Sequence, residues 1–262
     1  MVFSVTILGS NSAIPTLKRN PSAHLLNVNE RIFLLDCAEG TQLQLRRYRI
    51  HFQRIRHIMI SHLHGDHYYG LIGFLTTLHL LGRKDELHIY APAGLEEIIQ
   101  MQLNVSSTTL IYPVIFHPLV SAALQPLFED ERVMVHSFPL LHSVPTFGFL
   151  FREKIKVRKN PALRAYAYCT DTAYDEQIIP WISGVDLLYH EATFMQDMAA
   201  AAAEKMHSTA REAAMIAKKS RVKKLLIGHF SARYDDLTPL LHESRELFPE
   251  TFLAEDGITI NV

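Results

Sequence analysis

The sequence predicts an α/β protein in four layers, αββα, with two packed mixed β-sheets flanked by helices. Two observations lead there. Short apolar strand-like runs come in two sets, separated by helical segments. Sheets that bury one face on each other and the opposite face under helices give this order. The chain has 262 residues, 48% of them hydrophobic. That is enough for a sizeable core, and residues 1–262 are expected to form a single domain.

Residues 3–8 make a first apolar strand. Gly9-Ser10-Asn11-Ser12 then turn the chain, which leaves through Ile14-Pro15. Residues 22–28 and 31–36 read as two strands joined at Asn29-Glu30. A helix over 40–49 precedes a buried strand at 55–60. The run 70–81 is helical and almost wholly apolar, so it is expected to lie on a sheet. Strand 87–91, helix 94–103 and strands 114–117 and 132–139 follow. Residues 146–171 read as a β-hairpin, because 154–157 alternate with period two. Arg158-Lys159-Asn160-Pro161 make its turn, and 164–170 return. A strand spans 185–190, and the alanine run 199–203 favours helix. Thr209-Ala210-Arg211-Glu212 has the form of a capping box, starting a helix over 210–219. Strand 222–227, helix 237–247 and strand 258–262 complete the order.

The formal net charge is −1, so no global field draws in nucleic acid or an anionic membrane. Any polyanion must be met by local basic patches. No apolar run approaches the roughly 20 residues that span a bilayer. The N-terminal residues read as a strand rather than a signal peptide. Cys37 and Cys169, far apart, give neither zinc-finger spacing nor a disulfide framework. A reducing, cytoplasmic compartment is expected.

His62-Leu63-His64-Gly65-Asp66-His67 carries the chemistry. It places three imidazoles and one carboxylate within six residues, between strand 55–60 and helix 70–81. Neutral imidazole suits zinc and similar divalent ions, and a carboxylate adds charge compensation. His62 and His64 are two apart, so an extended segment points them to one side. Asp66 and His67 follow the turn at Gly65 and can face a second position. A lone histidine in such a place is usually only packed; this grouping argues for metal. A dinuclear site needs further ligands, and His142, Asp171 and His229 each lie just beyond an apolar strand. Read singly, the two histidines are loop residues and Asp171 is a helix N-cap. Read together with the loop, they complete the set.

The chain resembles the metallo-β-lactamase superfamily and, within it, the ribonuclease Z family. Leu8-Gly9-Ser10 with Ile14-Pro15 resembles the family's first loop. Asp36-Cys37-Ala38-Glu39-Gly40-Thr41-Gln42 resembles its acidic motif, with Ala38 where glycine is usual. Ser61 to His67 matches the signature loop. His190-Glu191-Ala192-Thr193-Phe194, followed by His207-Ser208-Thr209, matches a pair particular to ribonuclease Z. So does Gly228-His229-Phe230-Ser231-Ala232-Arg233-Tyr234. The resemblance implies two divalent metal ions, of which zinc fits best, with manganese or iron suited to the oxygen-richer position. One ion would take His62, His64 and His142. The other would take Asp66, His67 and His229, and Asp171 would bridge them. Asp66 would also accept the proton of the attacking water. Glu191 and His207 would pair to deliver a proton to the leaving oxygen. Read alone, Glu191 is a helix-start carboxylate and His207 a residue before a cap.

The implied activity is hydrolysis of a phosphodiester at the 3′ end of precursor tRNA, with RNA as partner, no membrane, and a homodimer as the family's common state. One departure bears on substrate. Family members carry a long tRNA-gripping arm between the positions of His142 and Asp171, whereas here 28 residues separate the two. Ser231, Arg233, Lys154, Lys156 and Arg158 are the candidate substrate contacts. The last three belong to a basic hairpin that also reads as an ordinary solvated edge. A second basic cluster, at 218–224, also reads as the cationic end of a helix. Two rivals stand beside this reading: an arm-less enzyme for small or cyclic phosphodiesters, and a non-catalytic metal- or RNA-binding protein on the same fold.

Overall fold

The structure is a computed structural model and describes residues 2–120, 123–154 and 163–262. The chain runs β1 (Phe3–Gly9), β2 (Ala23–Val28), β3 (Arg31–Leu35), α1 (Thr41–Arg47), β4 (Ile55–Met59), α2 (Gly65–Tyr68), α3 (Leu71–Leu80) and β5 (Leu87–Pro92). It continues through α4 (Leu95–Val105), β6 (Val114–Leu119), β7 (Gln125–Glu129), β8 (Val133–Leu140), β9 (Thr146–Glu153), β10 (Ala165–Cys169), α5 (Ile179–Ile182) and β11 (Leu187–Glu191). The last elements are α6 (Ala199–Glu204), α7 (Ala210–Lys219), β12 (Lys224–Gly228), α8 (Thr238–Arg245), β13 (Thr251–Leu253) and β14 (Thr259–Asn261).

The strands form two seven-stranded sheets, in the orders β14-β1-β2-β3-β4-β5-β6 and β13-β12-β11-β10-β9-β8-β7. Both are mixed. In the first, β1 to β3 pair antiparallel and β3 to β6 parallel. In the second, β7 to β10 pair antiparallel and β10 to β13 parallel. Alternation along each strand splits its side chains between two cores. Phe33, Leu35 and Met59 of the first sheet meet Phe149, Phe151, Tyr166 and Tyr168 of the second, forming the core between sheets. Ile32, Leu34 and Ile58 point outward instead, under Leu45 of α1, Phe74 and Leu78 of α3, and Ile99 of α4. Leu188, Leu225 and Ile227 likewise lie under α7 and α8. The four expected layers are therefore present.

Local sequence explains the elements that aim the site. α3 buries Leu71, Phe74, Leu75 and Leu78, a one-sided helical stripe. α7 starts with the expected capping box: Thr209 Oγ1 accepts from Glu212 N–H, and Glu212 accepts from Thr209 N–H. Such a cap is worth about 1 kcal/mol. In the ladder β8–β9–β10, β8 and β10 both run antiparallel to β9, so their C-terminal tips lie at the same end of the sheet. Gly228, the last residue of β12, lies against the Tyr189 ring, and a Cβ there would sit 2.6 Å from it.

Some elements escape a sequence reading. β7 contains Pro126 and a register shift between Pro126 and Phe128, which breaks the alternation that marks a strand. β13, α2 and α5 have only three or four residues. Of the strand expected at 154–157, Lys154 lies past the end of β9. The remainder, with the Arg158-Lys159-Asn160-Pro161 turn, lies outside the described residues. No helix among the described residues is long and apolar enough to cross a membrane.

Candidate metal centre

The signature loop leaves β4 at the sheet's end. Ile60 N–H bonds to Tyr90 O, and Ser61 O accepts from Phe147 N–H, which ties the loop to both sheets. His64 is extended at φ −79°, ψ 145°, and the short helix α2 starts behind it. His62 and His64 thus face one position, and Asp66 and His67, on the first turn of α2, face another. The second sheet supplies the rest. His142 follows β8, Asp171 follows β10 and His229 follows β12. His229 holds a left-handed backbone, at φ +59°.

Two groups of ligand atoms result. In one, His62 Nε2 and His64 Nδ1 are 3.0 Å apart, and His142 Nε2 lies 3.4 Å from His64 Nδ1. Asp171 Oδ2 is 3.7 and 3.9 Å from His62 Nε2 and His142 Nε2. In the other, Asp66 Oδ2 is 3.5 and 3.7 Å from His67 Nε2 and His229 Nε2. Asp171 Oδ1 lies 3.2 and 3.1 Å from the same two nitrogens. Bonds of about 2.0–2.1 Å in a tetrahedron set ligand atoms about 3.3–3.4 Å apart, and these spacings bracket that value. Asp171 thus belongs to both groups through different oxygens.

The donor set itself tests whether a divalent cation fits. His67 Nε2 and His229 Nε2 are buried without a hydrogen-bond partner, although Asp171 Oδ1 is close to both. Orphaned buried nitrogens of this kind are rare and suit a cation as the missing partner. Charge points the same way. Burial works against ionised Asp171, yet the His229, His67 and His62 imidazoles hold its pKa well below the carboxylate range. Burial likewise opposes ionised Asp66, and His67 and His229 hold its pKa well down. Burial also opposes charge on His67, but Asp171, Asp36 and Asp66 keep its pKa well above the usual imidazole value. Buried carboxylates held ionised among imidazoles form a cation-seeking cluster, and the cluster fits divalent-metal binding.

A supporting layer fixes the rings. Asp36, fully buried at φ +55°, accepts from Ser61 N–H, Ser61 Oγ and Tyr168 OH, and meets His67 Nδ1 at 2.8 Å. His62 Nδ1 is 3.0 Å from Ser61 Oγ, and His142 Nδ1 is 2.9 Å from the Met206 carbonyl. His229 Nδ1 is 2.9 Å from Thr193 Oγ1. Each contact places the ring proton on the far nitrogen and frees the inward one to bind metal. Ala13 N–H donates to Asp66 Oδ2 at 2.8 Å, so the first loop closes over the second group.

Glu191, the last residue of β11, is fully buried. Its Oε1 meets His207 Nδ1 at 2.7 Å. The His207 ring stands 5.2 and 5.4 Å from the His142 and His229 rings, beside both groups. Burial opposes its charge, but Glu191 lifts its pKa to about 9. Ser231 lies two residues after His229, and Arg233 bonds Ser231 Oγ and lies 4.9 Å over the Phe194 ring. Lys154 is elsewhere: it follows the end of β9 remote from His142 and pairs with Glu129. Lys156 and Arg158 lie outside the described residues. Asp36, Tyr168, Thr193 and the Met206 carbonyl are supporting groups to which the sequence assigns no role. Asp36 and Thr193 leave a signal, each inside a motif that resembles the family's, whereas Tyr168 and Met206 leave none. A cavity of about 640 Å³, lined by residues including Arg31, His57, His88 and Phe128, opens at the opposite ends of the strands and holds none of these groups.

Comparison with known proteins agrees with this geometry. Residues 31–230 match the beta-lactamase superfamily domain, so the chain belongs to that superfamily. Within it, the chain is 40% identical to the ribonuclease Z of Bacteroides fragilis, covering 99% of each chain. It is 42% identical to that of Azobacteroides pseudotrichonymphae, with the same coverage. The solved structure of human tRNase Z, short form, superposes with a TM-score of 0.84 at 34% identity, covering 98% of each chain. The chain is a member of the ribonuclease Z family of metal-dependent hydrolases. The Bacteroides fragilis alignment runs over 301 positions against the 262 residues here, so that relative carries residues with no counterpart in this chain.

Proposed function

We propose that this chain is an endoribonuclease that hydrolyses the phosphodiester at the 3′ end of precursor tRNA. It does so as one domain over residues 1–262, with zinc held by His62, His64 and His142 and by Asp66, His67 and His229, bridged by Asp171. The carrying observation is Asp171 facing both ligand groups, with the Glu191–His207 pair beside them. When bound, such a pair of ions supplies Lewis-acid activation of water and charge compensation on the phosphate. The protein's own groups do the rest. Asp66, kept ionised, accepts the proton of the attacking water. His207, kept protonated by Glu191, donates to the leaving oxygen. Ser231 and Arg233 border the site and hold substrate phosphate. The likeness to ribonuclease Z and tRNase Z supports tRNA as the substrate. Free, buried Cys37 and Cys169 support a cytoplasmic setting. The resemblance to ribonuclease Z, a family commonly dimeric, supports a homodimer.

The test is incubation of the zinc-loaded protein with a tRNA carrying a 3′ trailer, with the product sized. A trailer-free product is expected. One observation favours a second reading: few residues join β9 and β10, leaving no room for a long arm. On that reading the enzyme acts on small or cyclic phosphodiesters. Turnover of bis(p-nitrophenyl) phosphate with intact tRNA would select it. Bound metal with turnover of neither would select a binding protein.

A further inference from the structure

Thr193 sits where two functional groups meet. Its hydroxyl lies 2.9 Å from His229 Nδ1, 2.7 Å from Glu191 Oε2 and 3.4 Å from His207 Nδ1. The residue is buried and lies between the ends of β11 and β12. A hydroxyl has one proton to give and lone pairs to accept with, which fixes the direction of the chain. With a metal ion held at Nε2, which faces Asp171 and Asp66, the His229 ring proton would be on Nδ1 and donated to Thr193 Oγ1. The Thr193 proton then has two acceptors, Glu191 Oε2 at 2.7 Å and His229 O at 3.0 Å. The charged, nearer oxygen is the stronger. Glu191 Oε2 also accepts from Thr193 N–H, and Oε1 from Thr172 N–H and His207 Nδ1. Four donors thus fill a buried carboxylate that has about four acceptor positions.

We propose that Thr193 is a positioning residue that couples the His229 metal position to the proton-delivering pair, by the path His229 Nδ1–H to Thr193 Oγ1–H to Glu191, with His207 on the other carboxylate oxygen. The hydroxyl holds the His229 ring for metal and holds Glu191 so that Oε1 faces His207. This rests on the ribonuclease reading for its catalytic half; the metal half stands without it. Among the described residues, no other side-chain hydroxyl bonds both His229 and Glu191. Loss of the hydroxyl leaves His229 Nδ1–H buried without its acceptor and Glu191 one donor short.

The test uses Thr193→Val, which keeps the shape, and Thr193→Ser, which keeps the hydroxyl. Zinc affinity is read by competition with a chromophoric chelator. Cleavage of trailer-bearing tRNA is compared with turnover of bis(p-nitrophenyl) phosphate, whose phenolate leaves without a proton. Thr193→Val is expected to lose about 10–100-fold in affinity for one of two zinc ions, as removal of such supporting partners does. Its RNA cleavage should fall at least about tenfold further than its diester turnover, since assisted protonation contributes about 10²–10⁴-fold. Thr193→Ser should stay within about threefold of wild type in both. If Thr193→Val keeps its zinc affinity, or lowers both substrates equally, the coupling is overturned. If Thr193→Ser matches Thr193→Val, the methyl's packing matters and the proposal fails. Should Thr193→Val not fold, Thr193→Ala gives the same readouts. Wild type that cleaves no RNA refutes the ribonuclease reading, and the zinc titration still decides Thr193.

Discussion

Asp171→Asn is the substitution whose consequence the geometry specifies most closely. The carboxylate presents Oδ2 to His62 and His142 and Oδ1 to His67 and His229. Asparagine has the same outline but one oxygen, so only one group can keep an acceptor. The other meets an N–H₂ that cannot bind metal and points donors at buried imidazoles. Loss of supporting partners alone costs about 10–100-fold in metal affinity, or about 1.4–2.8 kcal/mol; loss of a direct ligand costs at least that. The variant is expected to retain one zinc ion after dialysis where wild type retains two. Phosphodiester turnover should fall by about 10²-fold or more, in line with removing one electrostatic stabiliser from a reaction centre. Elemental analysis after equilibrium dialysis gives the stoichiometry, and bis(p-nitrophenyl) phosphate the rate. Two retained ions with turnover within about tenfold of wild type would refute the shared-carboxylate reasoning.

Asp66→Ala, which removes a ligand and the proton acceptor, should cost at least about 10²-fold in turnover while circular dichroism stays native; activity within tenfold removes Asp66 from the mechanism. In metal-free protein, NMR titration should place the His207 pKa near 9, and Glu191→Gln should return it toward the ordinary value. Because the folded pKa is raised above about 6.5, the pair's stabilisation, about 3 kcal/mol, is complete below pH 6.5 and is lost as pH rises through about 9. Replacing Lys154, Lys156 and Arg158 together with alanine should weaken RNA binding, most visibly at low salt, and leave small-diester turnover unchanged; equal loss of both would make the hairpin a support of the metal site.

Much of this was legible because metal chemistry writes itself into short spacings. His62 to His67 announced two positions from six residues, and the structure places them so. Both outer layers and the sheet-on-sheet packing followed from the apolar periods of β4, α3 and β11. What stayed hidden depends on contacts between distant segments. Asp36 and Tyr168 are far apart in sequence, yet Tyr168 OH donates to Asp36, and no spacing announces that. Thr193 reads as a strand-end threonine until β12 brings His229 against it. β7 was missed because Pro126 and its bulge erase the alternation that marks a strand. The basic hairpin misled in another way. Its charge was legible, but its distance from the site was not: Lys154, just past β9, is about eight residues, some 26 Å, from the Thr146 end. A small diester at the metal cluster cannot touch it, so only an extended substrate can use it.

The centre is built across the seam between the sheets, and this ties metal to stability. His62, His64, Asp66 and His67 come from the end of the first sheet, and His142, Asp171 and His229 from the second. Neither sheet alone holds a complete group. Without a cation, the fold must bury His67 Nε2 and His229 Nε2 unpartnered, at a cost of about 1–3 kcal/mol each. It must also hold Asp171 and Asp66 ionised in a buried cluster. Binding removes both burdens and adds bonds that cross the seam. An ion that binds only the assembled site stabilises by RT ln(1 + [M]/Kd), about 4 kcal/mol at a thousandfold excess over Kd. Zinc removal by a chelator should therefore lower the melting temperature of the whole chain by several degrees, and added zinc should restore it. If the melting temperature does not change on removal and return of zinc, the cluster does not bind it with useful affinity. The orphaned nitrogens would then be a structural cost that the inter-sheet core carries alone.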